Sequence, residues 1–435
     1  MSEANQARRL NSARKALTHI TEELNLEFGF ELWDASTIPR TLGVNDLRIV
    51  FSDPAVISRL LRAPRLETLI NVYISGHLDV RGGTLFDLMG KRPKIRTREI
   101  RQRLNTGLLL KSALPFLLSS GKLGTLTDPA VDGGVEATRG QGSSKKDIAF
   151  HYDVGNAFYR LFLDPEMVYT CGYFREPGNN LATAQTDKLE MICRKLRLKP
   201  GDRLLDIGCG WGALVCYAAE HYGVTAVGIT LSEEQAALAK KTIAERNLED
   251  RVTVEVQDLY DLEGHFDKIA SIGMFEHVGI DNHEKYYRTV NRLLNPRGLY
   301  LHHAITRRGK ASEKAFRRKR PEYKSMVRYI FPGAEVDHIG MTARSLESYG
   351  FEVHDVEGWR EHYARTTAIW AANLTANRDA AIDEAGSAKY RMWIAYLTGV
   401  SMAFDRGTLL IFQTLASKRS RGASGLPPTR EDLYS

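Results

Sequence analysis

The sequence predicts an α/β protein: a parallel Rossmann-like sheet in the larger part of the chain, preceded by a smaller α+β domain. Its 435 residues exceed what one hydrophobic core usually organises. Strand-like and helix-like segments alternate after His151, and a stretch rich in glycine, serine and charged residues precedes them. We therefore expect an N-terminal domain at 1–125, a flexible linker at 126–147, a main domain at 148–420 and a tail at 421–435.

The N-terminal domain is predicted to be small and mixed. A helix near Ala7 to Leu24 precedes an alternating strand at Leu47 to Phe51. Ser52-Asp53-Pro54 then predicts a helix start, because Ser and Asp side chains cap free backbone amides and proline fits the first helical turn. Leu78 to Val80, with glycines on both sides, indicates a strand and a turn.

The main domain is predicted from its alternation of apolar strands and amphipathic helices. Alternation of this kind is typical of a parallel sheet, whose ligand binds beyond the carboxyl ends of the strands. We therefore expect the functional site in the loops after the strands. The expected strands are 203–207, 225–229, 252–256, 268–272, 299–304 and 409–416, and the expected helices include 213–222 and 233–247.

The net charge of +7 favours a polyanionic partner, either nucleic acid or an anionic membrane surface. Seven basic residues lie between Lys91 and Arg103, against the single acid Glu99. The apolar stretch Leu108 to Leu118 follows, and a basic block beside a short apolar segment suits a membrane interface. The same pattern is equally consistent with a solvated turn before a helix that packs on its own domain.

No apolar run approaches the roughly 18 residues that a transmembrane helix needs. The segment Met1 to Lys15 lacks the apolar centre of a secretory signal. The four cysteines show neither a disulfide framework nor a zinc pattern, so we expect no metal. These features favour a soluble cytoplasmic protein.

A glycine-rich loop follows the first strand of the main domain. In Asp206-Ile207-Gly208-Cys209-Gly210-Trp211-Gly212, the glycines permit positive φ angles and close backbone approach to a ligand. Their spacing does not match the dinucleotide fingerprint G-x-G-x-x-G. With the preceding Leu205, this stretch resembles the first motif of class I S-adenosylmethionine-dependent methyltransferases, which implies that fold.

Four further segments resemble the cyclopropane-fatty-acid synthase family, which includes the mycolic acid cyclopropane synthases. They are His151 to Asn156, Tyr169 to Phe174, Gly273 to Gly279 and Tyr329 to Gly333. The likeness runs from about His151 to the strand at 409–416. It implies an enzyme that transfers a methylene from S-adenosylmethionine to the cis double bond of unsaturated fatty acyl chains and thereby forms a cyclopropane.

The resemblance also implies where the cofactor binds. The segment Gly228 to Gln235 would contact its ribose and methionine parts, and Gln257-Asp258 its adenine, although the latter pair alone reads as an ordinary strand end. The implied cofactor-binding residues are Tyr169, Thr170, Asp206, Gly208, Gly210, Gly212, Thr230, Leu231, Ser232, Gln235, Gln257, Asp258 and Ile272.

The chemistry needs a base in a dry site. An isolated alkene is a weak nucleophile, and its attack on the sulfonium methyl leaves a carbocation that the base must deprotonate without trapping. In the family this base is a bound bicarbonate. The residues that hold it map onto Cys171, Glu276, His303, Ile305 and Tyr363. Ala304 stands where the relatives usually have threonine, a change that we expect to leave the anion site intact.

Each of these residues also has a structural interpretation. Cys171 suits a small buried position, Glu276 and His303 suit a hydrogen-bonded pair, and Tyr363 suits a core aromatic. Cys171 has no base near it in the sequence, which argues against covalent catalysis.

The N-terminal domain is similar to the accessory domain of the phospholipid-acting members, which the mycolic acid enzymes lack. This likeness implies an intact phospholipid substrate in an anionic membrane surface, a homodimer, and peripheral association with the inner face of the membrane.

Three rival functions remain open. A fatty acid C-methyltransferase would share the carbocation and give methyl-branched or methyl-unsaturated chains, and the segment Gly333 to Gly340 departs from the pattern of the best-known synthases. A nucleic-acid methyltransferase would need a motif such as Asn-Pro-Pro-Tyr, whereas Asn295 to Gly298 reads as a turn before a strand, so we expect no nucleic acid. Retention of Glu276, His303 and Tyr363 argues against a lipid-binding protein that has lost catalysis.

Overall fold

The structure, a computed structural model, describes residues 3–93, 95–118, 154–318, 330 and 333–434. Contacts between Cα atoms divide these residues into two units. The first unit holds the described residues up to 118 together with 385–398, and the second unit holds the remainder. The expected linker and the motif residues His151, Tyr152, Asp153, Tyr329, Phe331 and Pro332 lie outside the described residues.

The first unit is an α+β assembly around a four-stranded sheet. The strand order is β2-β1-β3-β4, with β1 and β3 parallel and the other pairs antiparallel. Its core includes Ala13, Phe30, Phe51, Val56 and Phe116. The strands are β1 (Gly29–Glu31), β2 (Thr37–Ile38), β3 (Arg48–Phe51) and β4 (Leu78–Arg81); the helices are α1 (Glu3–Leu24), α2 (Pro54–Arg62), α3 (Leu66–Ile74), α4 (Leu85–Gly90), α5 (Thr97–Arg103) and α6 (Thr106–Leu117).

The predicted helix start at Asp53-Pro54 is confirmed. The Asp53 carboxylate accepts a hydrogen bond of 2.6 Å from the amide of Ala55, which would otherwise lack a partner in the first helical turn. The first helix begins at Glu3, a few residues before the expected Ala7. Local capping therefore accounts for the start of α2.

The second unit contains a seven-stranded sheet of order β10-β11-β9-β8-β5-β6-β7, in which β5 to β9 are parallel and β10 and β11 antiparallel. The strands are β5 (Arg203–Ile207), β6 (Thr225–Thr230), β7 (Val252–Val256), β8 (Phe266–Ile272), β9 (Leu294–Arg307), β10 (Phe351–Gly358) and β11 (Leu409–Lys418). The helices are α7 (Asn156–Arg160), α8 (Leu181–Leu196), α9 (Ala213–Tyr222), α10 (Glu233–Glu245), α11 (His283–Leu293), α12 (Glu313–Phe316), α13 (Ile339–Ser348), α14 (Arg360–Ala376) and α15 (Arg378–Ala385). A further helix, α16 (Ser387–Asp405), is divided between the two units at residue 398.

Both faces of this sheet are covered. Successive residues of a strand point to opposite faces, and along β5 Leu204 joins one buried cluster whereas Leu205 and Ile207 join another. The first cluster includes residues of α9 and α10, and the second includes residues of α11. The sheet is therefore doubly covered, as the Rossmann-like prediction requires.

The expected turn at Asn295 to Gly298 lies within β9, so that boundary was wrong. The register passes from Phe266 opposite Leu294 to Lys268 opposite Leu299, which places residues 295–298 opposite Asp267 alone. Asn295 donates a hydrogen bond of 2.8 Å to the Asp267 carboxylate, and Arg297 adopts a φ of 62°. The turn residues thus form a bulge inside the strand.

A distant part of the chain belongs to the first unit. Arg391, on α16, donates hydrogen bonds to the backbone oxygens of Tyr73 (2.6 Å) and Leu78 (2.7 Å) and to the carboxylate of Asp79 (3.0 Å). Its side chain is buried, so these acceptors satisfy a desolvated guanidinium. This connection links α16 with the start of β4.

Candidate active site

The glycine-rich loop, residues 208–212, lies between β5 and α9, as predicted, and Asp206 lies near the end of β5. Gly208 has a φ of 79° and Gly212 a φ of 88°, values that side-chain-bearing residues rarely adopt. A Cβ atom on Gly208 would also lie 2.7 Å from Cγ of Met274. At Gly210, by contrast, no atom lies within 4 Å of the Cβ position. The backbone here faces open space that a ligand can enter.

Asp206, at the base of this loop, is buried, and its Oδ1 has no hydrogen-bond partner among the described residues. Burial raises the pKa of Asp206 to about 7, although the nearby Lys188 ammonium acts in the opposite direction. A buried carboxyl oxygen without a partner is costly unless a ligand supplies a donor. The hydroxyl and ammonium groups of S-adenosylmethionine are suitable donors, so Asp206 fits this cofactor.

The residues expected after β6 form a tight turn. Thr230 Oγ1 donates to Gln235 Oε1 at 2.8 Å, and it accepts from the Ser232 amide at 3.2 Å. Ser232 in turn caps α10 by accepting from the Gln235 amide at 3.3 Å. Leu231 lies inside this turn. The side chains of Thr230, Ser232 and Gln235 therefore hold the loop that follows β6.

The remaining expected cofactor residues also lie at strand ends. Gln257 and Asp258 follow β7, where Asp258 accepts from the Tyr260 amide at 3.0 Å, and Ile272 is the last residue of β8. Gly273, next to Ile272, approaches Thr170 so closely that a Cβ atom would lie 2.8 Å from Thr170 Cγ2. Since β5 to β8 are parallel, these ends share one edge of the sheet.

Tyr169 and Thr170 contact buried side chains that were not predicted as site residues. Lys188, which is 2% exposed, donates to Thr170 Oγ1 at 3.0 Å. Burial lowers the pKa of Lys188 to about 8, with Asp164 the largest opposing influence. The Tyr169 ring packs at 5.1 Å from the Trp370 ring. A buried cation thus supports the segment that precedes Cys171.

Glu276 and Ile305 contact each other directly. The Ile305 amide donates to Glu276 Oε1 at 2.5 Å, while the buried Oε2 has no hydrogen-bond partner among the residues described. Burial raises the pKa of Glu276 to about 7, and the bond from Ile305 acts in the opposite direction. One oxygen of this carboxyl group is therefore anchored and the other is available to a ligand.

His303 lies two residues before Ile305 on β9 and is fully buried. Its Nδ1 lies 2.9 Å from Gln413 Nε2, and its Nε2 has no partner within the described part of the chain. Burial holds the pKa of His303 well below its ordinary value, so the imidazole is neutral. Because Glu276 Oε2 and His303 Nε2 both lack partners, the structural hydrogen-bonded pair considered above is not formed.

Cys171 and Tyr363 join this group around Trp359. The Cys171 thiol lies 3.9 Å from the Trp359 backbone oxygen, and the Trp359 ring meets the His303 ring edge-on at 5.2 Å. The Tyr363 amide donates to the same backbone oxygen at 3.1 Å, and its ring lies 4.7 Å from that of Phe404. Burial raises the pKa of the Cys171 thiol, so it remains protonated and is not an activated nucleophile.

Three further polar residues near this group were not predicted as site residues from the sequence. Gln413 lies opposite His303 on β11, where a glutamine in the apolar run Leu409 to Ala416 was the available signal. The segment noted above for departing from the family pattern contributes Glu335, whose amide donates to the Glu276 backbone oxygen at 2.8 Å. It also contributes Asp337, which is 1% exposed and whose pKa burial raises to about 7.

The described residues include no group of three or more His, Cys, Asp and Glu side chains suited to a metal ion.

The fold and the site together define a class I S-adenosylmethionine-dependent methyltransferase. The defining features are a doubly covered sheet, a glycine loop after its central strand and a buried carboxylate at that loop. The family model described as mycolic acid cyclopropane synthetase matches residues 140–414. The chain belongs to this family.

Individual relatives refine the comparison. A probable fatty acid methyltransferase of Pseudomonas putida is 35% identical over 95% of this chain and 98% of its own length. The cyclopropane-fatty-acyl-phospholipid synthase of Escherichia coli K12 is 38% identical over 62% of this chain and 66% of that protein. The solved structure of mycolic acid cyclopropane synthase CmaA1 with SAH and CTAB covers 64% of this chain and 99% of that one, at 34% identity and a TM-score of 0.60. The chain is accordingly an enzyme that modifies fatty acyl chains with S-adenosylmethionine.

Proposed function

We propose that this enzyme adds a methylene to the cis double bond of unsaturated acyl chains in membrane phospholipids and so forms a cyclopropane ring. The observation that supports this proposal most strongly is that Glu276 Oε2 and His303 Nε2 are both buried and both lack a hydrogen-bond partner among the described residues. The Ile305 amide connects the two residues, because it bonds Glu276 and follows His303 by two positions on the same strand. A carboxylate acceptor and an imidazole in a dry site suit a small hydrogen-bearing oxyanion.

S-adenosylmethionine, when bound, supplies an electrophilic methyl group. In the reaction, the π electrons of the substrate alkene form a bond to that methyl carbon, S-adenosylhomocysteine leaves, and the second alkene carbon becomes cationic. A proton then leaves the added methyl group, and its C–H electron pair closes the ring. The acyl chain gains one CH₂ unit, and the proton passes to a base.

We propose that this base is bound by Cys171, Glu276, His303, Ile305 and Tyr363. Bicarbonate would supply an oxygen base that is too weakly nucleophilic to compete with ring closure. Glu276 Oε2 can accept the hydroxyl proton of such an anion, whereas the neutral imidazole of His303 can donate to it without adding a positive charge beside the cation. The aromatic face of Tyr363 can stabilise the cation itself.

The residues that we propose to bind the cofactor lie at or near the carboxyl ends of the strands. We propose that Asp206, Gly208, Gly210 and Gly212 bind the methionine and ribose parts together with Tyr169, Thr170 and the turn after β6. Gln257 and Asp258, after β7, would contact the adenine, and Ile272 would line the same edge. The turn after β6 runs from Thr230, the last residue of β6, through Leu231 and Ser232 to Gln235 in the first turn of α10.

A second candidate is methyl transfer without ring closure. The Pseudomonas putida relative, which matches nearly the whole chain, is called a probable fatty acid methyltransferase. The segment Gly333 to Gly340, expected from the sequence to depart from the pattern of the best-known synthases, brings the Glu335 amide to the Glu276 backbone oxygen. The two reactions share the carbocation. Loss of a proton from a carbon of the chain, instead of from the added methyl group, leaves a methyl-bearing chain that still has a double bond.

We further propose a setting for the reaction. The substrate would lie in an anionic membrane surface on the cytoplasmic side, and the protein would bind there peripherally, as a homodimer and without nucleic acid. No helix within the described ranges has both the length and the apolarity to cross a membrane. Residues 1–125 would form the accessory domain, 126–147 the linker, 148–420 the catalytic domain and 421–435 a tail.

The decisive experiment incubates the purified protein with S-adenosylmethionine and vesicles of cis-unsaturated phospholipid, and then analyses the acyl chains by mass spectrometry before and after hydrogenation. We expect chains heavier by one methylene that resist hydrogenation and carry no branch. A heavier chain that still takes up hydrogen, or that carries a methyl branch, would support the methyltransferase instead. Unchanged chains would refute both candidates for this substrate.

A further inference from the structure

Helix α6 presents an apolar face to solvent. Leu110 is 65% exposed, Leu114 47% and Leu117 42%, and Leu118, which ends the helix, is 81% exposed. Positions four and three residues apart lie on the same side of a helix. These four leucines, here called the leucine face, therefore form one strip about 10 Å long between Leu110 and Leu117.

This exposure belongs to a helix that is fixed on its other side. Ser112, Pro115 and Phe116 are buried, and α6 packs on α1 and α2. The buried Arg9 donates to the Pro115 backbone oxygen at 3.3 Å, and Arg62 donates to that of Leu117 at 3.1 Å. The leucine face is thus held outward on an anchored helix.

Basic side chains lie within this strip and at its end, and others precede it in the sequence. Lys111 lies within it on α6, and Arg62 reaches its end from α2, where Leu61 is also 40% exposed. The segment immediately before α6 has one exposed acid, Glu99. The exposed basic residues of that segment are Lys91, Arg92, Arg96, Arg98, Arg101 and Arg103.

We propose that the leucine face and its basic surround dock on an anionic phospholipid bilayer, with the leucines in the boundary between headgroups and acyl chains. An apolar strip rimmed by Arg and Lys matches that interface in both polarity and charge. A second copy of the chain fits less well, because two such faces would bring like charges together. The proposal rests on the lipid substrate proposed above, and it names the surface that reaches it.

Vesicles of saturated phosphatidylcholine and phosphatidylglycerol in equal parts test this surface without supplying a substrate. The double variant Leu110→Ser, Leu114→Ser should bind them about tenfold or more weakly in a flotation assay. The variant Val356→Ser is a matched control, since Val356 is an exposed apolar residue of the second unit, and it should bind as the wild type does. The double variant Arg101→Glu, Arg103→Glu should bind these vesicles more weakly. Its binding to vesicles of phosphatidylcholine alone should differ little from that of the wild type.

Wild-type binding by the double leucine variant, with its fold verified by circular dichroism, would overturn the proposal. A change of its oligomeric state in sedimentation would overturn it too and would identify the leucine face as a contact between copies. Binding to saturated vesicles without turnover on unsaturated ones would refute the proposed reaction and leave the docking surface standing.

A chain of buried hydrogen bonds leads from Lys195 through Gln413 to His303. Lys195 Nζ lies 2.6 Å from Gln413 Oε1, and Gln413 Nε2 lies 2.9 Å from His303 Nδ1. All three side chains are almost completely buried. Lys195 also pairs with Glu357, which offsets its charge.

This chain of bonds determines which imidazole nitrogen carries the proton. An ammonium group only donates, so it holds the oxygen of Gln413 towards Lys195 and turns the amide N–H towards His303. His303 Nδ1 must then accept, and the neutral ring carries its proton on Nε2. We infer that Gln413 and Lys195 are positioning residues that make His303 Nε2 a donor towards the anion site.

The variant Gln413→Glu tests this inference, because a carboxylate in that place accepts from Nδ1–H and reverses the tautomer. We expect the ¹⁵N resonances of His303 to exchange their protonated and unprotonated character and turnover to fall about a hundredfold, with cofactor affinity unchanged. Thr414→Val, at the next buried position of β11, should leave both unaltered. An unchanged tautomer, or wild-type turnover with a reversed one, would contradict the assignment.

Discussion

The two units of this chain place polar and apolar side chains in opposite ways. The second unit buries ionisable groups beside the candidate site, among them Lys188, Asp206, Glu276 and His303. The first unit exposes apolar groups instead: eight of the eleven large apolar side chains that are exposed in the described chain belong to it. Both patterns cost stability in isolation, so each points to something outside the chain that relieves the cost.

The buried polar atoms and the exposed leucines need different kinds of partner. Buried polar atoms without partners, such as Glu276 Oε2 and Asp206 Oδ1, require donors or cations of defined position, as small ligands have. An exposed leucine strip requires only an apolar medium, as a bilayer offers. A reaction on lipid needs both a defined ligand site and a surface that reaches the bilayer.

The largest effect on turnover is expected at Glu276. Glu276→Gln keeps the size of the side chain but turns a carboxylate acceptor into an amide, so turnover should fall by about a hundredfold or more while calorimetry shows unchanged cofactor binding. Glu335→Gln is the matched control. The Glu335 carboxylate accepts from the Ile280 amide at 3.1 Å, a role that an amide oxygen can fill. Undiminished turnover in Glu276→Gln would remove the anion site from the account.

Removal of carbon dioxide should produce the next largest effect. If bicarbonate is the base, turnover in degassed buffer should drop about tenfold and recover on addition of bicarbonate, since the anion acts in the proton transfer. Glu276→Gln should recover little. Full activity without bicarbonate in the wild type would show that another group takes the proton.

The two sides of α6 should differ in their contribution to folding. Phe116→Ala removes a buried ring and should lower the free energy of unfolding by about 3–5 kcal/mol. Leu110→Ser, on the exposed side, should change it by less than about 0.5 kcal/mol. Urea denaturation measures both. Equal losses would mean that the leucine face is packed in solution.

Stability should fall as the pH rises. Burial raises the pKa values of Asp206, Glu276 and Asp337 to about 7, so the folded protein holds protons that the unfolded chain releases near pH 4. Between these limits each group contributes up to about 1.4 kcal/mol per pH unit to the decline. Asp337→Asn should flatten the slope measured by urea denaturation without cofactor, whereas Asp250→Asn, at an exposed site, should not. An identical slope in Asp337→Asn would refute this assignment.

The smallest effect is expected at Lys188. Lys188→Met removes the bond to Thr170 and the nearby cation that lowers the pKa of Asp206, so affinity for S-adenosylmethionine should weaken by roughly threefold to tenfold. Lys241→Met, at a side chain that is 70% exposed, serves as control. Calorimetric titration measures both, and equal affinities would restrict Lys188 to a structural role.

Local patterns in the sequence predicted much of the second unit. The strand β5, the loop after it and the helix α9 follow from apolar periodicity and glycine positions within one short segment. The bulge in β9 was not predicted, because it depends on the register against β8. Gln413 was missed for the same reason: it is 110 residues from His303, and only the antiparallel pairing of β11 with β9 brings them together.

The first unit was predicted less completely. The cap at Asp53 is local and was found, whereas Arg391 reaches Leu78 across a sequence separation of 313 residues. The basic block and apolar stretch were noted, but which leucines face outward depends on the packing of Phe116 against α1 and α2. Interactions over such separations leave no pattern within one window of sequence.

Loss of a proton from the added methyl group as the ring closes can be tested with S-adenosylmethionine whose transferred methyl carries three deuterium atoms. Mass spectrometry of the product acyl chains then counts the deuterium that remains. Cyclopropane formation would leave two deuterium atoms in a chain that resists hydrogenation. Retention of all three, in a branched or still unsaturated chain, would contradict it and identify the enzyme as a fatty acid C-methyltransferase.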